Sequence, residues 1–127
     1  MTEREAFSLT SRARSFGHAF RGIGRLLATQ HNAWIHAATT AAVLGLALVL
    51  GLGRWEWVAL LVAIAMVWVA EAFNTAIEQL CDRISPEHDL LIGHTKDVAA
   101  GGVLIAAGVA AIIGFLVLGP PLLAWIR

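Results

Sequence analysis

Three charge-free runs constrain this chain more than any other feature. Residues 33–52, 57–70 and 98–118 contain no Asp, Glu, Lys or Arg. The first and last hold 20 and 21 residues. At ~1.5 Å per helical residue, each is long enough to cross ~30 Å of hydrocarbon. The middle run is shorter, but its apolar pattern continues into a helical one that reaches Cys81. Composition agrees: 58% of residues are hydrophobic before glycine is counted, whereas soluble domains reach only ~45–50% with glycine included. Mean hydropathy is +0.74. The expectation is an all-α membrane protein. It forms one integral-membrane domain over residues 1–127, with transmembrane helices at about 33–52, 55–81 and 86–118.

The segments between the runs supply the punctuation. Gly51-Leu52-Gly53-Arg54 reads as a short turn. Asp82-Arg83-Ile84-Ser85-Pro86 breaks the second helix; Ser85 is placed to cap a new one with Pro86 at its first position. Pro120-Pro121 is expected to end the third. Residues 1–31 are polar and arginine-rich, with no apolar core before Ala33, so they do not read as a secretory signal. They predict an amphipathic surface helix at about 11–30. Phe16, Phe20, Ile23 and Leu27 fall within ~60° of one another, and Arg14, Arg21 and Arg25 lie opposite, as suits a helix in the membrane interface. Trp34, Trp55, Trp57 and Trp125 sit near helix ends like an aromatic belt, while Trp68 and the lone Cys81 read as packing residues. Ala33, Ala37, Ala41 and Gly45, and again Gly102, Ala106, Ala110 and Gly114, recur every four residues and permit close helix approach in lipid.

Seven of the nine basic residues lie in the N-terminal segment or the loop before the third run: Arg4, Arg12, Arg14, Arg21, Arg25, Arg83 and Lys96. Arg54 and Arg127 lie on the other side. Positive-inside bias then places the N-terminus and the loop in the cytoplasm of a multi-pass bacterial inner-membrane protein, with the C-terminus outside. The net charge of zero singles out no partner, and nucleic acid is not expected.

The chemistry concentrates between Glu71 and Asp97, which holds six of the nine acidic residues and the only lysine. Glu71, Asn74, Glu78 and Asp82 share one helical face. A carboxylate in a membrane helix costs roughly 2.5–3.5 kcal/mol and marks a functional site by default. Glu78 lies ~10 Å nearer the cytoplasm than Glu71. Low-dielectric surroundings favour the neutral form of a carboxyl group, which suits the deeper Glu71 to accept a proton. The shallower Glu78 suits a hard cation such as Mg²⁺. Asn74 lies between them as a donor. Lys96 can neutralise phosphate charge, with Asp97 beside it to orient it or the metal. Three helices hardly shield two such carboxylates, so a homo-oligomer with sites between subunits is expected. The sum is compatible with phosphoryl transfer to a hydroxyl at the interface, with polar residues gluing helices together, or with a proton or ion pathway through Glu71 and Glu78. No G-x-x-x-x-G-K-[ST], G-x-G-x-x-G or HRD-type loop is present.

EAFNTAIE at 71–78, the following Asp82, and TKDVAAGGVLIAA from Thr95 resemble the prokaryotic diacylglycerol kinase and undecaprenol kinase family. SFGHAFRGI at 15–23 is similar to its surface helix, and Asn32 with Ile35-His36 to the start of its first membrane helix. The resemblance runs from about Ser11 to Ala111. It implies a homotrimeric lipid kinase using ATP and Mg²⁺ at the cytoplasmic face between subunits. It assigns Glu71 as base, Asn74 as a catalytic polar group and Glu78 as metal ligand. It makes His18, Glu78, Glu87, His88, Asp89, Lys96 and Asp97 nucleotide-binding positions.

Two departures matter. The family pattern like E-x-N-x-R-I-H reads here as Gln30-His31-Asn32-Ala33-Trp34-Ile35-His36. Gln30 therefore stands where a second metal-binding glutamate is usual, and Trp34 where an arginine is. A neutral ligand predicts weakened metal dependence; in the extreme, an impaired homologue would serve as a membrane scaffold. His31 reads as an interface residue and His36 as a hydrogen-bonded packing residue. The NTAIE and KDVAAG spellings and the Asn32…His36 pair are closer to undecaprenol kinases than to diacylglycerol kinases, so undecaprenol is the expected acceptor.

Overall fold

A computed structural model describes residues 8–87 and 89–127. Four helices account for nearly all of them: α1 Leu9–Thr29, α2 His31–Leu50, α3 Arg54–Ile84 and α4 Leu90–Trp125. No strand occurs among the described residues. The last three are long and apolar enough to cross a membrane, so this is an all-α membrane protein with a surface helix ahead of three spans.

α1 begins at Ser8, whose hydroxyl accepts from the backbone N–H of Ser11. Only Leu26 is buried along it; Phe16, Phe20 and Ile23 are exposed, an apolar face left uncovered among the described residues. A single non-helical residue, Gln30, separates α1 from α2. α2 ends in a Schellman-type turn. Gly51 adopts φ 63°, ψ 46°, and its N–H bonds Leu48 O while the N–H of Leu52 bonds Ala47 O. A side chain at residue 51 would be strained at that φ. Leu52 then packs with Val43, Leu46, Leu50, Trp57 and Val117 around buried Ala47, Leu60 and Leu118. This cluster fastens one end of the bundle.

α3 is the spine. Its buried residues, Leu60, Ala63, Val67, Glu71, Asn74, Thr75 and Cys81, follow helical spacing as one stripe. α2 runs antiparallel to it: His36 meets Glu71, Thr40 meets Trp68, and Ala47 meets Leu60. α4 packs along most of α3, whereas α2 touches both only locally. A groove of about 540 Å³ is left between α2 and the α3–α4 pair.

α3 runs to Ile84, three residues beyond the expected end, and the two largest departures from the sequence expectation are the ends of α4. α4 starts at Asp89, not Ser85: the Asp89 carboxylate accepts from Leu91 N at 2.7 Å. Ser85 instead closes α3, its N–H bonding Cys81 O and its hydroxyl bonding Glu87 O. An aspartate two residues before a free helical N–H is as good a cap as serine, and Ser85 is already committed. α4 also passes through Pro120-Pro121 to Trp125. Proline's fixed φ is itself helical. Gly119 has no Cβ to clash with the ring of Pro120, while the two prolines, lacking N–H groups, leave two helical hydrogen bonds unmade.

Candidate functional site

The polar end of the α3 stripe is where the spine's burial stops being apolar. Glu71 is 1% exposed, and Asn74 and Thr75 are also buried. Glu78, one turn beyond Asn74, is half-buried and Asp82 is exposed. The face therefore runs from interior to water, in the order its spacing predicts. Asn74 Nδ2 donates to Glu78 Oε1 at 3.2 Å, so the amide aligns the shallower carboxylate. Among the described residues, three buried atoms on this helix lack a hydrogen-bond partner: Glu71 Oε2, Asn74 Oδ1 and Thr75 Oγ1. An unpaired buried polar atom costs ~1–3 kcal/mol. Three in one place mark a site built to meet something other than its own chain.

Around Glu71 the surroundings come from α2 and the turn above it. His36 Nε2 stands 3.5 Å from Glu71 Oε2, and its side chain is 18% exposed. Trp68, one turn before Glu71, packs its ring edge-on against His36, with centroids 6.3 Å apart. Its Nε1 donates to Thr40 Oγ1 at 3.1 Å. Sequence reasoning took both His36 and Trp68 as packing residues and passed over Thr75. One signal was available, since an ionisable side chain inside a membrane span is a functional candidate in its own right.

At the water side, Lys96 Nζ donates to Asp82 Oδ1 at 2.7 Å, tying the start of α4 to the end of α3. Lys96 is thus oriented by Asp82 and not by its neighbour Asp97, because successive helical residues do not face each other. Asp97 is exposed. Glu87 is exposed in the α3–α4 turn, where its carbonyl accepts from Ser85 Oγ and Asp89 N. Asp89 is exposed and spends Oδ1 on capping α4. His88 lies outside the described residues. His18 is exposed on α1, its Nδ1 accepting from Arg21 Nη2 at 2.7 Å. Gln30 is half-buried at the α1–α2 elbow and makes no side-chain capping bond. The structure thus gathers Glu71, Asn74 and Glu78 on one face and brings Lys96 to its outer end, while His18 and Glu87 remain peripheral.

Among the described residues, no three His, Cys, Asp or Glu side chains cluster in the manner of a protein-built metal cage. Mg²⁺ does not require one; it keeps waters and binds through one or two carboxylates plus substrate phosphates. Glu78 suits that role, with one oxygen fixed by Asn74 and a position on the path from interior to water.

Comparison with known proteins then bears on identity. The profile of the family described as prokaryotic diacylglycerol kinase matches residues 17–118. The undecaprenol kinase of Bacillus subtilis (strain 168) is 38% identical over 109 residues, 86% of this chain and 89% of that protein. The diacylglycerol kinase of Synechocystis sp. is 38% identical over 111 residues, 87% of this chain and 63% of that protein. The diacylglycerol kinase of Escherichia coli (strain K12) is 33% identical over 96 residues, 74% of this chain and 66% of that protein.

Proposed function

This chain belongs to the prokaryotic diacylglycerol kinase family and is a membrane lipid kinase, and from that premise we propose that it phosphorylates the hydroxyl of undecaprenol, using ATP and Mg²⁺. The observation that carries the reading is Glu71: a carboxylate 1% exposed at the polar end of a membrane helix. From it, polar residues descend through Asn74 and Glu78 to Lys96. Phosphoryl transfer asks mainly for positioning and charge neutralisation, and this face supplies both in depth order.

In this reading Glu71 accepts the proton of the lipid hydroxyl. Asn74 aligns Glu78, and its unpaired Oδ1 is available to a donor on a substrate. Glu78, with Gln30 as a neutral companion, would hold Mg²⁺, which neutralises phosphate charge when bound. Lys96 meets the phosphates. His18, Glu87, His88, Asp89 and Asp97 edge the nucleotide from the surface helix and the α3–α4 turn. The site completes itself between copies in a homotrimer, since three helices leave most of α2 and α4 uncovered.

Undecaprenol is favoured over diacylglycerol because the Bacillus subtilis relative that this chain spans almost end to end carries that name. The groove between α2 and α3–α4 has His36, Thr39 and Thr40 at the end near Glu71 and apolar walls through Leu60 and Phe115 to Leu122. Such walls suit the apolar tail of a lipid whose hydroxyl meets Glu71. Purified protein in detergent, given Mg-ATP with undecaprenol or diacylglycerol, tests this directly. Faster turnover of undecaprenol is expected; faster turnover of diacylglycerol reverses the preference, and no turnover of either contradicts the proposed reaction. The N-terminus and the α3–α4 turn are proposed to face the cytoplasm. A cysteine introduced at position 54 should then label from outside intact cells and one at 87 should not; the reverse pattern refutes the orientation.

A further inference from the structure

The buried base of this reading is not alone in the bundle, and what accompanies it comes from another helix. Glu71 is nearly sealed. A sealed carboxylate without a donor is costly, and Oε2 has no hydrogen-bond partner as it stands. The group facing that oxygen is His36 Nε2 at 3.5 Å. Hydrogen bonds to nitrogen donors lie at ~2.7–3.2 Å, so a shift of a few tenths of an ångström closes the contact.

The imidazole is itself held. Trp68 lies edge-on against it, with ring planes at 64°, and Trp68 is fixed in turn by its bond to Thr40 on α2. Among the described residues, the groove that His36 lines carries no other titratable side chain: Thr39 and Thr40 line it beside His36, and α4 contributes Ala107, Ala110 and Ala111.

We propose that His36 is a positioning residue for Glu71, with Thr40 and Trp68 as its supports. Its Nε2–H donates to Glu71 Oε2, holds that carboxylate in one orientation, and leaves the other oxygen for the lipid hydroxyl. An N–H donor from a second helix orients the carboxylate, as the third group of a catalytic triad orients its base. The inference rests on Glu71 acting as the base.

The test compares His36→Leu and His36→Gln with wild type in detergent, using Mg-ATP and undecaprenol or diacylglycerol, whichever the wild type turns over. Leucine preserves apolar volume in a membrane helix and removes the donor. Glutamine restores an N–H at similar reach. His36→Leu is expected to lower kcat roughly 10²-fold, the lower end for acid–base catalysis. KM for ATP should stay within about twofold and the unfolding temperature should not fall. His36→Gln should recover at least a tenth of the wild-type kcat. Retention of more than half of kcat in His36→Leu overturns the assignment. So does equal loss in both variants, because that makes the ring's shape, not its donor, the requirement. A wild type inactive on both lipids is a different failure, visible before any variant is measured; it removes the lipid reading and this inference with it.

Discussion

The two ends of the α3 stripe are built by the same spacing and hold together by opposite means. At one end Leu60 and Ala63 are buried, with Leu60 packed against Ala47 and Leu118 beside the Gly51 turn. At the other, Glu71, Asn74 and Thr75 are buried just as deeply and each carries a polar atom with no partner. The first end gains stability from dispersion and close fit, as buried leucines do in any interior. The second gives up stability at three atoms. A helix that buries a leucine and a glutamate along one line separates its ends by position: the Leu60 end packs, and the Glu71 end, polar and unpaired, is the one proposed for chemistry.

Substitutions at the two ends should therefore fail in different assays. The largest effect on rate outside Glu71 is expected at Glu78. Glu78→Gln should lower turnover by roughly 10²-fold or more, as losing one preorganised charge at a reacting centre does, because Gln30 leaves no second carboxylate for the cation. The unfolding temperature should stay close to wild type, since Glu78 is only half-buried. Full activity in Glu78→Gln would remove the metal site as drawn. Leu60→Ala should do the opposite, costing about 2–5 kcal/mol of stability through the cavity it leaves, while the protein that remains folded turns over near the wild-type rate. A loss of kcat without loss of stability there would erase the distinction between the ends. The smallest effect is expected at the elbow. In the proposed site Gln30→Glu would add a charge near the cation and should lower the Mg²⁺ concentration for half-maximal rate a few-fold, because each added carboxylate strengthens a hard-cation site. An unchanged midpoint in a Mg²⁺ titration would mean residue 30 does not face the metal.

The helices were legible in the sequence because the three charge-free runs leave the backbone little alternative. The depth order of Glu71, Asn74 and Glu78 was legible too, since it follows from 3.6 residues per turn alone. The ends of α4 were less so. Ser85 and Asp89 are both good caps, and choosing between them required knowing that Ser85 was bound to Glu87. Pro120-Pro121 reads as a stop, yet α4 continues through it to Trp125; Gly119 relieves only the clash before Pro120. The pairing of His36 with Glu71 was not legible at all. It depends on the register between α2 and α3, set by the turn at Gly51 and the packing of Ala47 on Leu60. No periodicity within either helix encodes it. The same holds for Lys96, whose partner proved to lie on α3 and not beside it in the chain.

The account stands or falls on Glu71. Glutamine has the shape of glutamate and does not accept the proton, so Glu71→Gln separates chemistry from structure at the most buried point of the site. Turnover and thermal unfolding of this variant should be measured on the same purified, assembled protein. The expected result is a loss of turnover of ~10²–10⁴-fold, the range of general base catalysis. The unfolding temperature should stay close to wild type, since glutamine fills the space of glutamate. A variant that keeps more than half of the wild-type rate, or one that loses activity only because it no longer folds, would make Glu71 a structural residue and contradict the account.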